Sequence, residues 1–219
     1  MDIQKFQNDV DQVTDNLSKT LSDKYRQKLN SVKQELIGMY GKNLVKINHS
    51  VLELICASTL IARGYTVEVE KQVSDILVCD IFAKKGGGTT IIEIETGFTP
   101  PDHAMDTIDY FTARIMSKIA RYSKFCGKFS LATPVIGLIP IPKIFLLPPN
   151  ARNDLEVKKV KALCDRYYKN PPVDYDDILN AHLHSIYLIN IDKNFAKELD
   201  PQGYVDLTDK LLNRSEVEY

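Results

Sequence analysis

Residues 76–96 read ILVCDIFAKKGGGTTIIEIET. The first eight, 76–83, are almost wholly apolar and largely β-branched, the composition of a central strand buried on both faces. Residues 84–88, Lys-Lys-Gly-Gly-Gly, have the make-up of a hairpin turn, and 89–96 is the returning strand. Asp80 breaks the apolar run. Burying an unpaired carboxylate costs several kcal/mol even after relaxation, so Asp80 needs a partner. Glu93 and Glu95 stand two apart on the return strand and project from one face, with Ile92 and Ile94 on the other. Across an antiparallel hairpin the three carboxylates can converge on one face, where like charges raise one another's pKa unless a cation neutralises them. A hard divalent cation does so: Mg²⁺ takes one or two carboxylates, keeps waters and is completed by substrate phosphate oxygens. The plainer alternative pairs Asp80 with a lysine and leaves Glu93 and Glu95 on a solvated face.

Outward from the hairpin, residues 65–73 alternate apolar and polar, as a half-exposed strand does. Residues 49–63 form a helix that stops at Gly64. A further helix spans about 105–125, followed by strands at 129–133 and 143–147 that are separated by Pro134, Pro140 and Pro142. The order of helix, three-strand meander, helix and strand predicts a mixed α/β domain over 46–150. Residues 2 to about 45 read as one long helix whose narrow apolar stripe (Phe6, Val10, Val13, Leu17, Leu21, Leu29, Val32, Leu36) resembles a coiled-coil seam. That stripe either lies on its own domain or pairs with a second copy. Residues 151–219 read as an extension: a basic helix at 153–168, a Pro171-Pro172 break, a short helix at 175–182, a strand at 185–191 and a polar tail.

The helix at 105–125 is two-sided. At 100° per residue, Ile108, Phe111, Ile115, Ile119 and Tyr122 make an apolar sector. Arg114, Lys118, Arg121 and Lys124 gather within roughly a third of a turn on the opposite side. A basic stripe beside an acidic metal site suits a phosphodiester substrate, because lysine and arginine hold the backbone while the metal meets the scissile phosphate. The alternative is a solvated charged face.

Composition sets the bounds. The chain has 219 residues, of which 44% are hydrophobic and 26% charged, ordinary values for a globular protein large enough to need no disulfide or metal staple. Its 28 basic and 29 acidic residues exclude a bulk polycation but not a local basic surface. No apolar run is long enough for a membrane span. The N-terminus lacks the features of a secretory signal, so an intracellular setting is expected. The four cysteines (Cys56, Cys79, Cys126, Cys164) show no zinc-ligand spacing. Abundant lysine and tyrosine with no tryptophan suit an archaeal or viral source.

A helix bearing Glu53 (HSVLELICASTLIARGYTV, 49–67), then Asp80 in an apolar strand, then Glu93-x-Glu95 on the next strand, then a basic helix resembles the PD-(D/E)XK nuclease superfamily. Archaeal Holliday-junction resolvases are nearest in layout, and the resemblance covers 46 to about 150. It implies a restriction-endonuclease-like core and Mg²⁺- or Mn²⁺-dependent hydrolysis of DNA, directed to branched or junction structures. It also implies that Asp80 and Glu93 hold the metal with the Ile94 carbonyl, while Glu53 and Glu95 assist the metal or its waters. Glu95 stands where the superfamily has a lysine. An acid cannot supply the positive charge that orients the attacking water, and in some members the following helix supplies it; Lys118 is the candidate here. A homodimer fits, since symmetric substrates pair with two-fold proteins. Two rival readings remain: a catalytically inactive DNA-binding protein on the same fold, and a coiled-coil assembly factor.

Other residues carry weaker signals. His49 lies one helical turn before Glu53; the plainer reading is an ordinary helix-surface histidine, and the alternative has it face the same pocket. His103 follows Glu95 in a polar loop. His182 and His184 read as a helix end, where residues two apart do not share a face.

Overall fold

The computed structural model describes the backbone of residues 3–215 and the side chains of residues 3–211. The expected first residue of the N-terminal helix and the last four of the tail lie outside the described residues. The fold is α/β, a six-stranded mixed sheet flanked by helices on both faces. Helices α1 (Ile3–Ser18), α2 (Asp23–Gly41) and α3 (Ile47–Ala62) precede strands β1 (Thr66–Gln72), β2 (Val78–Lys85) and β3 (Gly88–Ile94). Helix α4 (Thr107–Ser123) leads to β4 (Lys128–Pro134), then α5 (Asp154–Tyr167) and α6 (Tyr175–Asn180). Strands β5 (Ser185–Asn190) and β6 (Phe195–Leu199) and helix α7 (Pro201–Ser215) complete the chain described.

The strands lie side by side in chain order. β1, β2 and β3 form an antiparallel meander, β4 and β5 add in parallel, and β6 closes the edge antiparallel to β5. Lys85 pairs with Gly88, so Gly86 and Gly87 alone make the β2–β3 turn. Gly86 has φ +58°, the left-handed geometry that two-residue hairpin loops demand and glycine meets without strain. Alternation of side chains across the pleat divides the core in two. Ile81, Ala83, Ile92 and Ile94 join α1, α2 and α3 on one face. Phe82, Ile91, Phe129, Leu131 and Ile186 join α4, α5, α6 and Tyr204 of α7 on the other.

Three expectations are corrected. The single helix over 2–45 is two helices with a break at 19–22. Phe6 near the start of α1 stacks on Tyr40 near the end of α2, ring centroids 3.7 Å apart, so the pair folds back on itself. Ser22 has the extended backbone of a helix N-cap and Asp23 opens the next helix, a start signal with no glycine or proline to announce it. The stripe read as a possible seam is thereby spent at home: Phe6, Val10, Leu17, Leu21, Leu29, Val32 and Leu36 are all buried in the core against α3. Second, Lys143–Leu146 is a 3-10 turn and not a strand. Buried Arg152 takes its carbonyls, donating Nε to Ile144 O at 3.0 Å and Nη2 to Leu147 O at 2.9 Å. Third, the polar tail contains β6 and α7. Pro201 begins α7 and Asp200 accepts from the Gly203 N–H at 2.9 Å, while Tyr204 is the buried anchor. The extension at 151–219 therefore supplies two strands of the central sheet.

Candidate metal centre at a break in the sheet

Strand β2 loses both neighbours at one residue. Its pairing with β3 ends at Ile81–Ile92, and its pairing with β1 passes from Val69–Ile81 to Lys71–Cys79, skipping Glu70 and Asp80. Side chains replace the missing ladder bonds. The Asp80 N–H donates to Glu93 Oε1 at 3.1 Å, and the Ile94 N–H donates to Asp80 Oδ2 at 2.6 Å. Glu70, opposite the break, has φ +46°, a left-handed conformation uncommon for a side chain of its size. Strain of this kind persists only where the surroundings over-determine it, and it clusters at functional sites.

Two layers meet in the opening. From α3, one turn apart, come His49 and Glu53: His49 Nε2 lies 3.1 Å from Asp80 Oδ1 and 3.7 Å from Glu53 Oε1. From α4 comes Lys118, whose Nζ lies 3.0 Å from Glu93 Oε2 and 2.6 Å from Glu95 Oε1. Arg114, one turn earlier, sets Nε 3.3 Å from Glu95 Oε2 and donates Nη1 to Phe98 O at 2.9 Å. Glu93 and Glu95 thus face α4, as their spacing requires, but the Asp80 carboxylate engages α3. Among the described residues, the metal-ligating atoms that gather within 4.8 Å of one another belong to His49, Glu53 and Asp80. The expected convergence of Asp80, Glu93 and Glu95 on a single face is corrected accordingly: Glu93 reaches Asp80 through its backbone N–H.

Electrostatics separates the acids. Burial alone would raise Asp80, but the Lys118 charge, the His49 hydrogen bond and the Ile94 N–H outweigh it and hold Asp80 below the usual carboxylate range. Glu53 is driven well above that range by burial, then by the charges of Asp80 and Glu70. Glu93 is pushed up to about 8 by burial and by Asp80, with Lys118 opposing. Burial would lower Lys118, yet Glu93, Asp80 and Glu95 raise it well above its ordinary value, so it is a fixed cation. His49 is raised because its bond to Asp80 overcomes its burial.

Glu53 is fully buried, and neither of its oxygens receives a hydrogen bond from a protein donor. Its carboxyl meets the Glu70 carboxyl, a contact that either a shared proton or a cation relieves. A buried acceptor without a donor is costly, and a cation seated between Glu53, Asp80 and His49 would satisfy it. Seen from solvent, the side chains of His49, Asp80 and Lys118 are 30%, 14% and 20% exposed, so the opening is accessible.

The basic stripe is present but engaged. Arg121 donates to Pro171 O and Lys124 pairs with Asp177 at 2.6 Å, while Arg114 and Lys118 hold the acids. Ile108, placed in the apolar sector, is instead exposed. His103 stacks on Tyr110 at 4.0 Å, away from the acids. His182 and His184 lie in the segment between α6 and β5 and belong to no metal-ligating group among the described residues. Glu70 is the residue that sequence reasoning missed, since nothing in the alternation of β1 distinguishes it from Glu68.

The raised groups dictate a pH dependence. A carboxyl whose folded pKa lies above its unfolded value favours the folded state at low pH and loses that contribution as pH rises to the folded value. Glu93, Glu53 and Glu70 all act in this sense, and His49 adds to it above its own unfolded value. His182 and His184, held low by burial, oppose it below their ordinary value. The metal-free protein should therefore melt at a falling temperature between about pH 5 and pH 8. Glu53→Gln should flatten that fall and raise the melting point at pH 8, measured by calorimetry. A wild-type melting point that climbs across this range would contradict the upward shift of these acids.

No protein-family model matches the chain, and no curated protein or solved structure shows significant similarity to it. The site is therefore read from its own chemistry.

Proposed function

We propose that the chain is a metal-dependent DNA endonuclease with a restriction-endonuclease-like core of the PD-(D/E)XK kind, acting on branched or junction DNA. The observation that carries this reading is Asp80: a carboxylate at a break in a central strand, set against His49 and buried Glu53 on one side and tied through Glu93 to a lysine-bound pair of glutamates on the other.

The donor set fits a divalent cation. Asp80, Glu53 and His49 would hold it, while Glu93 is taken up by the Asp80 N–H and Lys118 and the resemblance alone adds the Ile94 carbonyl. Oxygen ligands suit Mg²⁺ or Mn²⁺, and an imidazole among them tilts the choice toward Mn²⁺. Such an ion lowers the pKa of a bound water and stabilises charge on a phosphate. The chain's own residues do the rest. Lys118, fixed between Glu93 and Glu95, supplies from α4 the positive charge that Glu95 does not, and in its permanently protonated state it acts electrostatically and not as a base. Glu95 orients Lys118 and Arg114 from beneath. Arg114 and Arg121 on α4, which keep free guanidinium donors, and Lys124 just past its end would hold the phosphate backbone.

The inactive-module reading rests on Glu95 in the lysine's place; Lys118, 2.6 Å from Glu95 and 3.0 Å from Glu93, favours the enzyme over it. The assembly-factor reading rested on an apolar seam that is buried within the protein's own core. A homodimer suited to a symmetric junction would have to use another surface. Among the described residues no helix is long and apolar enough to cross a membrane. The deciding assay incubates the protein with linear and four-way-junction DNA in Mn²⁺, Mg²⁺ or EDTA. Cutting of the junction that needs the metal is expected; salt-sensitive binding without cutting under any metal contradicts the enzyme.

A further inference from the structure

Beside the acids lies a pocket of about 240 Å³ bounded by Arg114, Lys118, Arg121, Ser117, Leu77 and Tyr168. We propose that it seats one unpaired nucleotide of the substrate strand, the phosphate on the three cations and the sugar or base against Tyr168. This rests on the nuclease reading and deepens it, naming single-stranded nucleic acid at the point of attack as the substrate class.

The pocket begins where the acidic site ends, because Lys118 belongs to both. Its cations are held in place without being used up. Arg114 spends Nε on Glu95 and Nη1 on the Phe98 carbonyl, and Arg121 spends Nη2 on the Pro171 carbonyl. A guanidinium carries five N–H groups, so each retains donors for a phosphate. The aromatic side is equally ordered: the Arg121 guanidinium carbon lies 5.4 Å from the Tyr168 ring centre. Tyr122 also borders the pocket, but its hydroxyl is given to Val78 O at 2.8 Å.

Aromatic side chains continue outward from Tyr168. Its hydroxyl faces Tyr110, which stacks on His103 and meets Tyr167 edge-on at 5.5 Å. All four rings are half-buried at the surface. Two acids stand among them and are occupied: Asp106 accepts from the Tyr167 hydroxyl at 2.7 Å, and Asp109 pairs with Arg166 at 2.8 Å.

Cations tracking a backbone beside a run of aromatic rings is the arrangement that binds single strands, because every base offers a π-face. An intact duplex keeps its bases stacked inside and presents phosphates on a convex surface, so it has no use for a recess. The pocket is also smaller than the roughly 300–1,000 Å³ of drug-sized ligand sites, which excludes a paired segment and suits a phosphate with part of its nucleoside, the rest lying outside the opening.

The test is fluorescence anisotropy in EDTA, which silences chemistry, with a labelled splayed-arm DNA and a blunt duplex of the same sequence. Wild type should bind the splayed arm at least about tenfold more tightly. Tyr168→Leu should weaken splayed-arm binding at least about fivefold, in keeping with the loss of one stacked base, and leave duplex binding unchanged. Tyr168→Phe, which keeps the ring, should retain the preference. Equal affinity for the two DNAs, or a Tyr168→Leu loss shared by both, overturns the proposal. Should Tyr168→Leu fail to fold, Leu77→Trp decides, because it fills the pocket without removing a cation: a loss confined to the splayed arm supports the pocket, and an unchanged or uniformly changed affinity overturns it. Absence of binding to either DNA overturns both the pocket and the nuclease reading. Preferential splayed-arm binding without metal-dependent cutting leaves the pocket standing and overturns the nuclease alone.

Discussion

Asp80→Asn should abolish cleavage while leaving the fold intact, a loss of at least about 10³-fold in rate. The magnitude follows from the metal: stabilising phosphate charge and activating a water contribute several kcal/mol, and about 4 kcal/mol is a thousandfold. The fold survives because the amide oxygen can still accept from the Ile94 N–H, and removing one negative charge relieves Glu53, Glu70 and Glu93. Two readouts separate cause from collapse. The variant should melt near the wild-type temperature without metal, and should lose most of the rise in melting temperature that Mn²⁺ gives the wild type. Retained cutting, with the variant folded, would remove Asp80 from the chemistry.

Lys118→Met should be the costliest single change to stability in the site. It strands two buried carboxylates, and breaking a buried ion pair costs about 3–5 kcal/mol. The lower end is expected here, because Arg114 still faces Glu95 and Glu93 can take up a proton. For a chain of this size about 3 kcal/mol corresponds to roughly 6–12 °C in Tm. Adding Glu95→Gln removes one stranded charge, so the double variant should melt above Lys118→Met, a coupling that a double-mutant cycle measures directly. Cleavage should fall by about 10²–10³-fold, the usual effect of deleting one preorganised electrostatic group. The double variant should recover stability and not activity. If Lys118→Met melts like wild type, the ion pairs linking α4 to β3 and to Glu95 just beyond it do not hold in solution.

Local chemistry made much of this legible before any coordinates. The Gly86–Gly87 turn, the apolar β2 and the period-2 spacing of Glu93 and Glu95 place the hairpin and send both glutamates to the α4 side. The amphipathic period of residues 105–125 locates α4, but by itself it puts Lys118 opposite the apolar sector; the turn of Lys118 toward Glu93 and Glu95 is expected only from the superfamily resemblance. What stayed hidden depends on backbone deviations. An ideal hairpin would project Asp80 beside Glu93, but skipping the 70–80 and 80–93 pairs frees the Asp80 carboxylate to meet α3. For the same reason Glu70 was indistinguishable from its solvent-facing neighbours, since only its left-handed φ sets it apart. His49 was visible as a residue one turn from Glu53, but its bond to Asp80 is a long-range contact. The N-terminal hairpin was misread because a helix that ends at polar residues leaves the apolar period almost unbroken across 19–22. The segment at 143–147 was misread because a buried arginine, and no neighbouring strand, takes its carbonyls.

Diffraction from crystals soaked in Mn²⁺, collected where manganese scatters anomalously, tests the central claim most directly. An anomalous peak at direct-ligand distance from the Asp80 carboxylate, with Glu53 and His49 turned onto the same ion, is the expected result. A map with no peak between α3 and the break in β2, or with manganese bound only elsewhere on the surface, would contradict it.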